Sequence, residues 1–179
     1  VMLSGETSVG KYPVRVVQTM QKILTNVEKS SLIYNKSLTA SADSETFLSD
    51  AVCYNAAQMA HDLRAKAIIG MTRSGYTAFM ISSCRPKANI YIFTDNKPLL
   101  KTLNLFWGVR GFYYSGMAGT DQTINDVIEI LKLNKLLKKG DRVINTASMP
   151  LENKGRTNMV KVSVVKEVES SDNQGEKSE

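Results

Sequence analysis

Histidine, tryptophan, cysteine and proline are all scarce in this chain: one, one, two and four among 179 residues. The two thiols, Cys53 and Cys84, have no partner at metal-ligand spacing, which argues against a zinc module. Two lone thiols fit a reducing cytoplasm, with a single disulfide between them as the alternative. His61 sits between Ala60 and Asp62 with no second ligand near it, so no metal site is expected there. No run of about 18 apolar residues is present, which argues against a membrane span. The N-terminus lacks a basic region followed by an apolar block, so no secretory leader is expected. No internal repeat is evident.

What is present is a basic body. The net charge is +6, but residues 167–179 hold five of the 17 acids and one of the 23 bases. The first 166 residues therefore carry 22 bases against 12 acids, a net of +10. Such a surface attracts anions. No RNA- or DNA-binding motif appears and the aromatics do not interleave with Lys and Arg, so the expected partners are small anions, with no nucleic acid.

Hydrophobic periodicity divides the chain. From Pro13, the residues Val16, Met20, Ile23, Leu24, Val27 and Leu32 mark a helix, with Pro13 in its first turn. Residues 35–46, NKSLTASADSET, are polar and read as a linker. A second helix follows, marked by Leu48, Val52, Ala56, Met59 and Leu63. Strands are expected at 66–72, 89–95, 109–115, 141–147 and 158–165, with helices at 75–84, 97–106 and 122–138, the last stopping near Gly140. Alternation of strand and helix implies an α/β three-layer sandwich around a five-stranded mixed sheet: four parallel strands, the first four runs being apolar enough for burial on both faces. The fifth follows the fourth without a helix and returns antiparallel at an edge. Its alternation, Val160, Val162 and Val164 against Lys161 and Ser163, suits a half-exposed strand available for self-association.

Three loops carry chemical content. GETSVGKYP, residues 5–13, has the glycines and lysine of a Walker A loop, Gly5, Gly10 and Lys11. Tyr12 stands where a magnesium-binding Ser or Thr is needed, and Pro13 removes a backbone N–H, so the match fails and the stretch reads as a strand-to-helix turn. TRSGYTAF, residues 72–79, lies between a buried strand and a helix. Its hydroxyls on Thr72, Ser74 and Thr77, the charge of Arg73, the freedom of Gly75 and the helix start make an anion cradle, an ordinary cap being the alternative. TASMPLENKGRTN, residues 146–158, is a polar loop with Lys154 and Arg156.

The phrase VMLSGETSVGKYPVRVV closely resembles the end of the catalytic barrel of pyruvate kinase. The likeness continues through KAIIGMTRSGYTA, RPKANIYIFT, FWGVRGFYY, KKGDRVINTAS and GRTNMVKV, in the family's order, from Val1 to about Val165. The resemblance implies a C-terminal portion of such an enzyme: residues 1–34 as the last barrel strand end and helix, 35–46 as linker, 47–166 as the effector and oligomerisation domain, and 167–179 as an acidic, disordered tail. It implies that Thr72, Arg73, Ser74, Gly75, Tyr76 and Thr77 hold the phosphate of an allosteric effector, a sugar phosphate or nucleoside monophosphate. Tyr76 stands where some members have a basic or small residue. Lys154, Gly155 and Arg156 correspond to the loop that folds over the effector, and Ser4 and Glu6 lie near the parent's active-site rim. The parent would be a cytoplasmic homotetramer moving a phosphoryl group between phosphoenolpyruvate and ADP with magnesium and potassium. This chain would hold no catalytic or metal-binding residues and be inactive alone. The alternative is a stand-alone α/β module for a phosphate ligand.

Overall fold

The computed structural model describes residues 1–37, 41–116, 119–149 and 155–166. The elements are α1 (Gly5–Ser8), α2 (Pro13–Val27), a 3-10 turn (Ser31–Ile33), α3 (Phe47–Asp62), β1 (Ala67–Met71), α4 (Tyr76–Ser83), β2 (Asn89–Thr94), α5 (Lys97–Leu103), β3 (Val109–Tyr113), α6 (Thr120–Leu133), β4 (Arg142–Ala147) and β5 (Met159–Val164). The sheet order is β3-β2-β1-β4-β5. β1 runs parallel to β2 and β4, β2 parallel to β3, and β4 antiparallel to β5 with Arg142 opposite Val164. The expected three-layer α/β architecture is the one observed.

The pleat sorts the core. Ile68, Ile90, Ile92 and Ile144 face α3, α4 and α5, joining Cys53, Ala56, Ala78, Ile81 and Leu103. Ala67, Ile69, Phe93 and Val143 face the other way onto α6, through Ile124, Val127, Ile128 and Leu131. β1, β2 and β4 are thus buried on both faces, as their unbroken apolar runs require. β3 departs from that expectation: it is an edge strand, partly exposed at Val109 and exposed at Arg110 and Tyr113. Its aromatic residues still reach the core, where Phe112 stacks on Phe93 with centroids 5.1 Å apart.

Helix ends differ from the periodicity reading. The first helix stops at Val27, and Leu32 belongs to the separate 3-10 turn capped by Ser30. α5 ends at Leu103 and α6 at Leu133, short of 106 and 138. Gly140, at φ 84°, belongs to the turn before β4 rather than to a helix end. The left-handed residue just past α6 is Lys135, at φ 58°; Arg64 and Arg85 play the same part after α3 and α4. Each places a cation where the helix carbonyls gather, a favourable pairing with the dipole. Val1–Ser4 form no strand, because among the described residues no second strand lies beside them to accept their hydrogen bonds. Gly10 packs so closely on α1 that a Cβ there would stand 2.2 Å from the Glu6 carbonyl oxygen, which gives this glycine a packing role independent of phosphate.

The start of the polar stretch 35–46 is pinned. Asn35 N–H donates to the Arg85 carbonyl and Lys36 N–H to that of Cys84, while Tyr34 meets Trp107 edge-on at 5.8 Å. Trp107, expected as packing at a helix-to-strand turn, also lies under the Arg85 guanidinium. Both cysteines are free and buried. Lys154 and the acidic tail 167–179 lie outside the described residues.

Candidate functional site

In a sheet of this topology, connections leave β1 toward β2 on one side and the chain later returns to β4 on the other. The crevice outside the carboxyl ends of those two strands is where ligands of open α/β sheets gather. A cavity of about 680 Å³ opens there. β1 contributes Met71 and the turn from Thr72 to Gly75; α4 contributes Tyr76, Thr77 and Phe79. Ser148 enters after β4, Gly155, Arg156 and Thr157 before β5, and Thr46, Ser49 and Phe106 close the sides. The two loops singled out in the sequence therefore meet at one cavity, as far as the second is described.

The turn is tightly organised. Gly75 adopts φ 87°, and a Cβ there would meet Leu99 Cδ1 at 2.8 Å, so both backbone and packing favour glycine. The hydroxyl of buried Thr72 accepts from Gly75 N–H at 3.0 Å, and exposed Ser74 accepts from Tyr76 N–H at 3.3 Å. Those contacts hold the loop in the shape that presents α4's N-terminus to the cavity. Buried Thr77 shares a hydrogen bond of 2.6 Å with Thr157, which ties the two loops together.

Both guanidiniums already have anionic partners. Arg73 pairs with Asp95 at 2.5 Å, and Asn96 Nδ2 donates to the Arg73 carbonyl. Arg156 donates to the Glu45 backbone carbonyl and pairs with its carboxylate at 3.4 Å. Tyr76 OH donates to Asp50 Oδ1 at 2.6 Å, and Thr46 Oγ1 donates to Asp50 Oδ2 at 2.8 Å. The hydrogen bond to the Asp50 carboxylate holds the Tyr76 phenol above its ordinary value. Residues 45–50, at the start of α3, thus hold two side chains of the cavity wall, Arg156 and Tyr76.

Ser49 was not singled out from sequence. It is almost fully buried in the cavity wall, and its Oγ has no hydrogen-bond partner among the described residues. A serine near a helix start reads as an ordinary helix-face residue, and only the fold turns it toward this wall. Ser4 and Glu6 are exposed at α1 and are not part of the cavity lining.

A larger cleft, about 990 Å³, opens at the opposite strand ends, among Arg64, Lys66, Lys87 and Arg142. It faces the carbonyl end of α3, whose dipole repels anions.

A family model for the pyruvate kinase alpha/beta domain matches residues 50–163. The chain belongs to the pyruvate kinase family. The pyruvate kinase of Geobacillus stearothermophilus is 34% identical over 168 residues, covering 94% of this chain and 29% of the relative. Pyruvate kinase 2 of a Synechocystis species is 35% identical over 94% of this chain and 28% of its own length. A crystal structure of a pyruvate kinase from Cryptosporidium parvum superimposes with TM-score 0.73 at 25% identity, covering 92% of this chain and 32% of that one. The chain therefore spans a little under a third of the relatives it matches.

Among the described residues no helix is long and apolar enough to cross a membrane, and no group of three or more His, Cys, Asp or Glu side chains could hold a metal ion.

Proposed function

We propose that this chain is the regulatory portion of a pyruvate kinase and that the cavity at the start of α4 binds an anionic effector. The observation that carries the proposal is the convergence of Thr72–Thr77 and Gly155–Thr157 on one cavity at the sheet's switch point. Backbone N–H groups, hydroxyls and a helix N-terminus there favour a phosphate. The ligand would order both loops through the Thr77–Thr157 contact and reach the linker through Asp50 and Glu45.

Transfer of a phosphoryl group between phosphoenolpyruvate and ADP, with magnesium and potassium, is assigned to the remainder of the parent enzyme, acting in the cytoplasm. Such chemistry needs clustered metal-binding carboxylates and cationic clamps. The chain alone is expected to form no pyruvate in a coupled assay; pyruvate production by the purified chain would overturn that assignment. Subunit contact is assigned to the β5 edge, where Val162 and Val164 stand half exposed beside an unpaired strand flank.

Ser74→Asp tests the site. The side chain is exposed, so the fold survives, and a carboxylate at the turn repels a phosphate. In the full-length enzyme, activation by phosphorylated effectors should disappear while unstimulated activity stays. Unchanged activation would remove the site from this turn.

A further inference from the structure

At the strand ends opposite the Thr72–Thr77 turn, the cleft of about 990 Å³ gathers cations in excess of anions. We propose that this cleft binds carboxylates and that its occupant is the chain's own acidic segment, residues 167–179.

The first observation is how the sheet assembles the cleft. Lys66 directly precedes β1, Lys87 lies two residues ahead of β2, and Arg142 opens β4. β1 stands between β2 and β4, so the three connections meet side by side. Lys66 N–H donates to the Arg142 carbonyl at 2.8 Å, and Asn89 N–H donates to the Lys66 carbonyl at 3.2 Å. Neighbouring strands lie only about 4.8 Å apart. Arg64, from the turn after α3, joins the same cleft.

The second observation is charge. Arg64, Lys66, Lys87 and Arg142 share the lining with two carboxylates, Asp62 and Asp141. Asp62 Oδ1 lies 3.1 Å from His61 Nδ1, and Asp141 Oδ2 accepts from Lys138 N–H at 2.8 Å. Among the described residues, Arg64, Lys66 and Lys87 have no carboxylate partner. Like charges gathered in this way repel one another, and an anion laid across them removes the repulsion. The carbonyl end of α3 works against an anion, but its carbonyls are already engaged. Ala60, His61 and Leu63 accept from Ala65 N–H, Arg64 N–H and the Arg142 guanidinium.

The third observation is where the acidic segment begins. Val165 N–H donates to the Asp141 carbonyl and Gly140 N–H to that of Val165, both at 2.9 Å. Gly140 and Asp141 line the cleft, so the chain leaves β5 at its rim. The residues that follow Lys166 carry five carboxylates, Glu167, Glu169, Asp172, Glu176 and Glu179, against Lys177. Extended, they reach up to about 45 Å, ample for this cleft. The tether supplies a local concentration on the order of millimolar, at which weak, exposed ion pairs suffice. The contact is one of charge and asks no secondary structure of the segment.

The test compares the unaltered chain with a variant whose segment is neutralised by Glu167→Gln, Glu169→Gln, Asp172→Asn, Glu176→Gln and Glu179→Gln. Folding of both is verified by a cooperative thermal transition. A fluorescent peptide of sequence EVESSDNQGEKSE is titrated against each at low salt, with anisotropy as the readout. The neutralised variant should bind it roughly tenfold more tightly than the unaltered chain, whose cleft is already filled. Adding Lys66→Glu and Lys87→Glu to the neutralised variant should weaken binding about tenfold. Lys22→Glu and Lys29→Glu, the same charge change at other exposed lysines, should cost less than about twofold. Equal affinity for the two chains would show that the segment does not fill the cleft. Equal loss from the two lysine pairs would show that the peptide follows net charge alone. Either result, or no binding by the neutralised variant, overturns the proposal. Dimerisation of the unaltered chain that the neutralising substitutions abolish would also overturn it, by placing the segment on a second copy.

Discussion

α2 and α6 carry similar stripes of apolar residues, yet they end in opposite situations. On α6, Ile124, Val127, Ile128 and Leu131 are between 0 and 7% exposed against the sheet. On α2 the corresponding stripe stays largely open: Ile23, Leu24 and Val27 are 38 to 53% exposed, Val16 and Met20 are half-buried, and no residue of the helix is buried. Periodicity says which face of a helix is apolar; it does not say what covers that face. For α6 the cover is the β1-β2-β4 surface of this same chain. For α2 the proposed cover is the remainder of the parent enzyme, since the chain spans under a third of its relatives.

The comparison is broken most forcefully on the packed side. Leu131→Ala leaves a cavity in a fully buried site and should cost about 2–5 kcal/mol in urea unfolding. A loss below 1 kcal/mol would mean that α6 is not anchored as described. A second effect confined to the packed side is pH dependence. Burial pushes the Cys53 thiol up to about 12 and Cys84 to about 11, from an ordinary 9.0. Below pH 9 both thiols are protonated whether folded or not. Above it the unfolded chain ionises first, so stability should fall steadily from about pH 9 toward 12. Unfolding midpoints at pH 8 and 10.5 measure this, and Cys53→Ala with Cys84→Ala should flatten the slope.

The same contrast explains what could be read from sequence. β1, β2 and β4 were legible because burial on both faces leaves an unbroken apolar run, as in Ala67–Met71. Helix ends are less so, since the left-handed terminal position reads as glycine, whereas Arg64, Arg85 and Lys135 fill that role. The Thr72–Thr77 turn stood out because glycine and hydroxyls cluster within six positions. The partners that complete the cavity come from far along the chain: Asp95 for Arg73, Glu45 for Arg156 and Asp50 for Tyr76. Such pairings depend on tertiary folding and leave no local pattern. Ser49 is the extreme case, a lone hydroxyl whose significance exists only in the assembled wall.

Membership of the packed unit does not by itself confer energy. The Arg156–Glu45 pair is exposed, with the Glu45 side chain 92% accessible, so water screens it. Glu45→Gln should change folding stability by no more than about 1 kcal/mol. Its effect should instead appear in binding: with Arg156 of the cavity wall released from its carboxylate partner, inorganic phosphate should bind a fewfold more tightly. Weaker phosphate binding in this variant would mean that Glu45 holds Arg156 in a productive position rather than competing with the anion.

The smallest effect is expected where the apolar stripe is open. Leu24→Ser replaces a large apolar side chain on α2 with a small polar one, a change that would be severe on α6. In this chain Leu24 has no core to leave, so the cost is limited to helix propensity, within about 0.5 kcal/mol. Comparing the same substitution in the chain and in the full-length enzyme separates two origins of an apolar face. If the stripe is an interface with the parent's remaining structure, the full-length protein should lose several times more stability than the chain does. Equal, negligible losses in both would mean that α2 is uncovered in the parent too. A large loss in the chain alone would mean that α2 folds back onto the α/β unit in solution.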